Sequence, residues 1–155
     1  PFGTETATLL FASDARLTPG EIGKVASGGE LSRLILALKL AGGTTVETLV
    51  FDEIDSGVGG ATALEVGRKL AALATDFQVL CVTHLPQVAA FADAHYVVER
   101  EGSAAGVRKV ESEGRLEELS RMLAGLTDSE RGRQAAGELL ELASRSKTPG
   151  RGRRG

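Results

Sequence analysis

At 155 residues with 42% hydrophobic content, the chain can bury one ordinary core, so one compact domain is expected. No apolar run approaches the roughly 20 residues that a spanning helix needs, and the amino end lacks the charged-then-apolar pattern of a signal peptide; nothing suggests a membrane, and a cytoplasmic protein is expected. The net charge of −3 hides an asymmetry, because residues 145–155 hold five basic residues (Arg145, Lys147, Arg151, Arg153 and Arg154) and no acid, leaving 13 basic against 21 acidic, or −8, on residues 1–144. The expected division is a domain over 1–144 and a Gly-rich, basic, disordered tail over 145–155, of a kind that can touch nucleic acid. Cys81, the only cysteine, lies in the apolar stretch Val79-Leu80-Cys81-Val82 and reads as a small buried side chain.

Taken in order, the chain opens abruptly on Pro1-Phe2-Gly3 without a methionine and reads as a piece of something longer. Thr6 to Ala12 has strand composition, and Ser13 to Lys24 reads as a loop turning at Pro19-Gly20. From Ser27 the period becomes helical: Leu31, Leu34, Ile35 and Leu38 recur at i, i+3, i+4 and i+7, a predicted buried face that ends near Gly42-Gly43. The first turn of this helix is unusual. Ser27 and Glu30 have the spacing of a capping box, yet Gly28 and Gly29, poor helix formers, stand between them. Glycines there admit another group close to the backbone, and the free amides of a helix start, with its dipole and the Ser27 hydroxyl, suit a phosphate; a plain capped helix is the simpler alternative.

Residues 49–60, LVFDEIDSGVGG, are the centre of the chain. Leu49-Val50-Phe51 predicts a strand buried on both faces, and Gly57, Gly59 and Gly60 turn the chain straight after it. Asp52 and Glu53 therefore fall at the carboxyl end of a strand, the edge where open α/β sheets bind ligands, and two carboxylates there can divide the work of holding a cation and taking a proton from water. An acidic turn after a core strand is the alternative. Ala63, Val66, Leu70, Leu73 and Phe77 mark a helix starting at Ala61, and Gln78 to Thr83 a second strand. A right-handed crossover makes the two strands parallel and brings His84 to the edge that carries the acids. Pro86 to Ala92 predicts a short helix, Ala94 to Glu99 with Val107 to Glu111 a hairpin in which His95 has no chemistry, and two helices follow. These carry Leu116, Leu119, Leu123 and Leu126, then Ala135, Ala136, Leu139, Leu140 and Leu142, as packing faces.

ASGGE at 26–30, a strand ending in Asp52-Glu53, Asp55 among glycines, and a strand ending in His84 stand in an order that resembles the carboxyl-terminal half of an ABC-type ATPase head: signature motif, Walker B, D-loop and switch histidine. More narrowly, KVASGGELSR, FDEIDSGVGG and VTHLPQVA resemble the RecN family of bacterial DNA repair proteins, relatives of the SMC proteins, over most of residues 2–125. Transporter ATPases usually follow the catalytic Glu with Pro; Ile54-Asp55 fits the SMC-like branch. The resemblance implies an α/β fold, a mostly parallel sheet with flanking helices, plus a hairpin and carboxyl-terminal helices. It implies ATP and Mg²⁺ as cofactors, with Asp52 holding the metal, Glu53 polarising the attacking water and His84 contacting the γ-phosphate. Ser27, Gly28 and Gly29, with Glu30 in the same motif, would bind the nucleotide of a second head, and Asp55 would lie at the interface between heads. The implied role is ATP-dependent dimerisation and hydrolysis that drives DNA binding or tethering in double-strand break repair by recombination, in the bacterial cytoplasm at the nucleoid.

One part of such a head is missing. The phosphate-cradling G-x-x-x-x-G-K-[ST] loop occurs nowhere, since Gly23-Lys24 is followed by Val25 and Lys147-Thr148 is preceded by Ser146. The family carries that loop on an amino-terminal lobe, so the chain is expected to be half a head, an ATPase only when completed and inactive alone. Two rivals remain: a DNA-binding or structural module without ATP chemistry, favoured by the basic tail, and another Mg²⁺-dependent phosphotransfer enzyme, which the ASGGE helix start argues against.

Overall fold

The computed structural model describes residues 3, 7–42, 46–101, 104–125 and 129–147. A two-residue ribbon opens it, β1 (Leu10–Phe11) antiparallel to β2 (Gly20–Glu21), followed by one helical turn, α1 (Ile22–Val25). The expected strand over Thr6 to Ala12 is thus reduced to two residues, with Thr6 itself outside the described residues, and the expected loop contains a strand and a turn of helix.

Next come α2 (Gly28–Ala41), β3 (Thr48–Phe51), α3 (Gly60–Leu73) and β4 (Gln78–Cys81). β3 and β4 pair in parallel with Leu49 opposite Val79 and Phe51 opposite Cys81, and α3 makes the crossover. The Val82 amide donates to the Phe51 carbonyl at 2.9 Å, so the ladder runs one bond past the strand ends and brings residues 82–84 alongside the acids. The expected strand pair and its direction hold, and among the described residues the parallel sheet is confined to these two strands.

Side-chain alternation explains which face of the pair is covered. Leu49 and Phe51 point into a cluster with Leu36, Ile54, Ala63, Val66, Leu70, Leu73 and Val88, while Val50, Leu80 and Val82 stay 66%, 52% and 63% exposed on the other face. β3 is therefore not buried on both faces, as its apolar run predicted. The same correction applies to α2. Its buried side carries Gly29 and Leu36, and the stripe of Leu31, Ile35 and Leu38 is exposed, with Leu34 half-buried. The helical period was right, but tertiary contact selects a different face: α2 packs against α3 and the loop after β3 through the side bearing Gly29, Ser32, Arg33 and Leu36.

α4 (Pro86–Ala89) follows, then the antiparallel hairpin of β5 (His95–Glu101) and β6 (Ala104–Val110), whose turn lies outside the described residues, then α5 (Ser112–Ala124) and α6 (Glu130–Lys147). A second core joins Ala89, Ala90 and Phe91 to Leu119, Ala136 and Ala143. Arg115 ties it together, its Nη2 donating to the carbonyls of Ala89, Ala90 and Ala92 and so closing the end of α4. α6 continues through Lys147, three residues into the stretch expected to be tail, with Arg145 bound to Glu141 and Lys147 to Asp93. Leu126 and residues 148–155 lie outside the described residues.

Candidate functional site

The loop after β3 gathers the site. Asp52 and Glu53 are both exposed at its start, and the Glu53 amide donates to Asp52 Oδ1 at 2.9 Å, which fixes one carboxylate oxygen and leaves the other to solvent. Glu53 has φ +56°, the left-handed region that a non-glycine residue enters at a cost of about 1–3 kcal/mol. What holds it there is the chain on either side. Ile54 is fully buried in the main core, and the Ser56 amide closes a turn onto the Glu53 carbonyl at 2.9 Å. The strained residue is one of the two proposed to do chemistry.

Asp55 turns the opposite way. It is 3% exposed, and its Oδ2 accepts from Thr83 Oγ1 at 2.5 Å and from the His84 amide at 2.9 Å, with His84 Nδ1 at 3.1 Å. Burial by itself would raise this carboxyl's pKa, but the hydrogen bonds from Thr83 and His84 and the histidine's charge prevail, so the net shift is downward. These bonds tie the acid loop to the end of β4. His84 is thereby held at the same edge as Asp52 and Glu53, with its imidazole largely exposed.

Ser27 caps α2 as the spacing predicted. Its Oγ receives the Glu30 amide at 3.4 Å, and Glu30 Oε2 in turn accepts from the Ser27 amide at 2.8 Å and Ser27 Oγ at 2.9 Å. These bonds, that to the Ser27 amide foremost, lower the Glu30 pKa. Glu30 is a capping residue, and the amides of Gly28 and Gly29 are those the box does not use. Both glycines are close to the acid loop: a Cβ on Gly29 would sit 2.8 Å from the Ser56 carbonyl, and one on Gly28 3.0 Å from Glu53 Oε2. The helix start and the acids thus share one surface.

The relatives decide the family. The chain is 51% identical over 148 residues to the DNA repair protein RecN of Mycobacterium tuberculosis, a match covering 91% of this chain and 25% of that protein. It is 52% identical over 149 residues to DNA repair protein RecN of Streptomyces coelicolor (92% and 26%) and 43% identical over 153 residues to that of Treponema pallidum (95% and 27%). The chain belongs to the RecN family. It spans about a quarter of the length of the RecN proteins it matches. No protein-family model matches it. A solved chain from work on the ATP-driven dimerisation and DNA-stimulated activation of SMC ATPases superposes with a TM-score of 0.53 over 70% of this chain and 68% of that one, at 17% identity, which places the fold with SMC ATPases.

The three RecN-like stretches, ASGGE, FDEIDSGVGG and THLPQVA, lie on three adjoining elements, and side chains that the motif reading passed over join them. Thr83 shares Asp55 with His84, Ser32 Oγ donates to the Asp52 carbonyl at 3.0 Å, and Arg33 donates from Nη1 to the carbonyls of Ile54 and Ser56 at 3.0 and 2.9 Å. A signal for the last two exists in the sequence: Ser32, Arg33 and Leu36 fall at i+3, i+4 and i+7 from Gly29, and an arginine on the covered side of a helix must find oxygen acceptors.

Proposed function

We propose that this chain is the carboxyl-terminal half of an SMC-like ATPase head that binds ATP and Mg²⁺ once completed, pairs with a second head around the nucleotide, and hydrolyses it to drive DNA binding or tethering in recombinational repair. The observation that carries this reading is the convergence of Asp52, Glu53, His84 and the Ser27–Gly29 helix start on one loop. Asp52 fits Mg²⁺, because this ion uses one or two carboxylates and takes its remaining ligands from phosphates and water, and one Asp52 oxygen is left for it. When bound, the ion would neutralise phosphate charge. Glu53, exposed at the strand end, takes the proton of the attacking water, and His84, its Nδ1 beside Asp55 and its ring exposed, acts on that water or on the γ-phosphate. The Gly28 and Gly29 amides and the Ser27 hydroxyl act on the nucleotide of the opposite head, which makes hydrolysis conditional on pairing.

The partner lobe also has a place to sit. Val50, Leu80 and Val82 form an uncovered apolar face on the strand pair that carries the acids, and covering each would contribute about 1.5–3 kcal/mol. An amino-terminal lobe bearing the phosphate loop is the occupant we assign to it, and the chain's share of its relatives' length leaves ample polypeptide for one. The rival reading, a DNA-binding module built on the basic tail, is weakened by Arg145 and Lys147, which are engaged on α6 by Glu141 and Asp93. We infer action in the bacterial cytoplasm at the nucleoid; among the described residues no helix is long and apolar enough to cross a membrane.

Mixing this chain with the amino-terminal lobe of a RecN relative and measuring ATP hydrolysis tests the reading. Turnover should appear only in the mixture. Equal turnover by this chain alone, or none in a mixture shown to associate, would overturn it.

A further inference from the structure

The helix that begins at Ser27 is fastened to the acid loop at every second carbonyl. Ser32 Oγ donates to the carbonyl of Asp52 at 3.0 Å, and Arg33 Nη1 donates to those of Ile54 at 3.0 Å and Ser56 at 2.9 Å. The approach is close as well as bonded, since a Cβ on Gly29 would stand 2.8 Å from the Ser56 carbonyl and 2.9 Å from the Ser56 Cβ. Packing of this kind leaves no slack, and charge-assisted bonds from a guanidinium are roughly twice as strong as neutral ones. α2 and residues 52–56 must therefore move as one body.

The two carbonyls that Arg33 holds flank Asp55, whose carboxylate holds His84, and the loop they belong to begins with Glu53 in its strained backbone. Arg33 thus fixes the backbone from which both reacting side chains are aimed, although it touches neither. Its other end of influence is the helix start, where Gly28 lies against Glu53 Oε2. Resting on the reading of the site given above, we propose that Arg33 is a positioning residue that couples the two nucleotide sites of a head pair. Seating one head's nucleotide on the Ser27–Gly29 turn is transmitted through α2 and Arg33 to the backbone on either side of Asp55. This sets Glu53 and His84 for the nucleotide of their own head. An apolar contact would fasten the helix to the loop equally well but would not grip the backbone at these two points, and hydrolysis in the two sites would then be independent.

The test uses complete heads, comparing the parent with Arg33→Met, Arg33→Lys and Ser32→Ala for ATP-driven pairing, KM, kcat and the cooperativity of turnover in ATP. Arg33→Met should keep KM and pairing within about twofold, lower kcat by about tenfold or more, and remove cooperativity, because a displacement near 1 Å at the reacting groups costs on that order. Arg33→Lys, whose ammonium still reaches a carbonyl, should recover part of kcat and of cooperativity, and Ser32→Ala should lie between Lys and the parent. The proposal is overturned if kcat and cooperativity stay at the parent's values. It is equally overturned if KM rises while pairing and thermal midpoint fall together with kcat in the variants that fold, which is the behaviour of a purely structural clamp. Should Arg33→Met fail to fold, Arg33→Lys and Ser32→Ala carry the same comparison. Parent heads that neither pair nor hydrolyse would instead refute the reading of the site, whatever Arg33 does.

Discussion

Asp55 Oδ2 stands 3.1 Å from His84 Nδ1 while receiving the His84 amide at 2.9 Å, so one buried carboxylate bonds the backbone and lies beside the ring of the histidine at the end of β4. An ionised carboxylate only accepts, so it favours a proton on Nδ1, the ring nitrogen that lies beside it. Asp55→Ala should release the ring, visible as a change of the His84 tautomer in nitrogen NMR of this chain, and should destabilise the fold by about 1–3 kcal/mol because the Thr83 hydroxyl and the His84 amide lose their acceptor. An unchanged tautomer would contradict this. The sign of the pH effect follows from the lowered pKa: the stability Asp55 contributes is complete above the ordinary Asp range and is lost as pH falls through the folded-state value. Asp55→Asn should accordingly flatten the acid limb of the stability profile.

Glu53→Gln keeps size and most hydrogen bonding but removes the proton acceptor. In complete heads, turnover should collapse by about a hundredfold or more while ATP binding survives, and the paired state should last longer because the nucleotide joining the heads is no longer consumed. Turnover within a few-fold of the parent would show that Glu53 is not the base.

Gly67 on α3 faces α4, where an added Cβ would lie 2.5 Å from Phe91 Cδ2 and 3.0 Å from the Gln87 carbonyl. α4 starts two residues after His84, so this crossing helps set where the histidine's loop runs. Gly67→Ala should cost about 1–3 kcal/mol by overpacking, read as a lower denaturation midpoint. A midpoint equal to the parent's would mean that α4 can shift freely.

The Cys81 thiol is pushed up to about 12, by burial first and then by the charges of Asp55 and Asp52. At pH 8 it should be alkylated far more slowly in the folded chain than in denaturant. A raised pKa also fixes the sign of its linkage: its contribution is whole below the ordinary value of 9.0 and drains away as pH rises toward 12. Alkylation at equal rates in the two states would contradict the burial.

Much of this arrangement was legible in the residues because the signals were local. Ser27 and Glu30 announce the cap of α2, Leu49 to Phe51 and Gln78 to Thr83 announce β3 and β4, the second of which ends at Cys81, and the helix between them dictates a parallel pair with His84 at the acids' edge. What was not legible depends on contacts distant in sequence. The α2 stripe of Leu31, Ile35 and Leu38 obeyed the helical period yet lies uncovered, because Gly29 and Arg33 draw the opposite side onto the acid loop. Val50 read as core for the same reason and lies on the uncovered face. The resemblance implied an interface position for Asp55, and its bonds to Thr83 and His84, distant in sequence, are visible only in the fold.

The central claim is that the Ser27 helix start acts on a nucleotide held by another head, and sedimentation of complete heads with and without ATP tests it most directly. Ser27→Arg puts a bulky side chain where the opposing nucleotide would dock, so it should leave ATP binding by a single head nearly intact and abolish ATP-driven pairing, while Glu53→Gln heads pair more persistently than the parent. If Ser27→Arg heads pair with ATP as well as the parent does, the helix start is only a cap, and the account of a site shared between two heads is wrong.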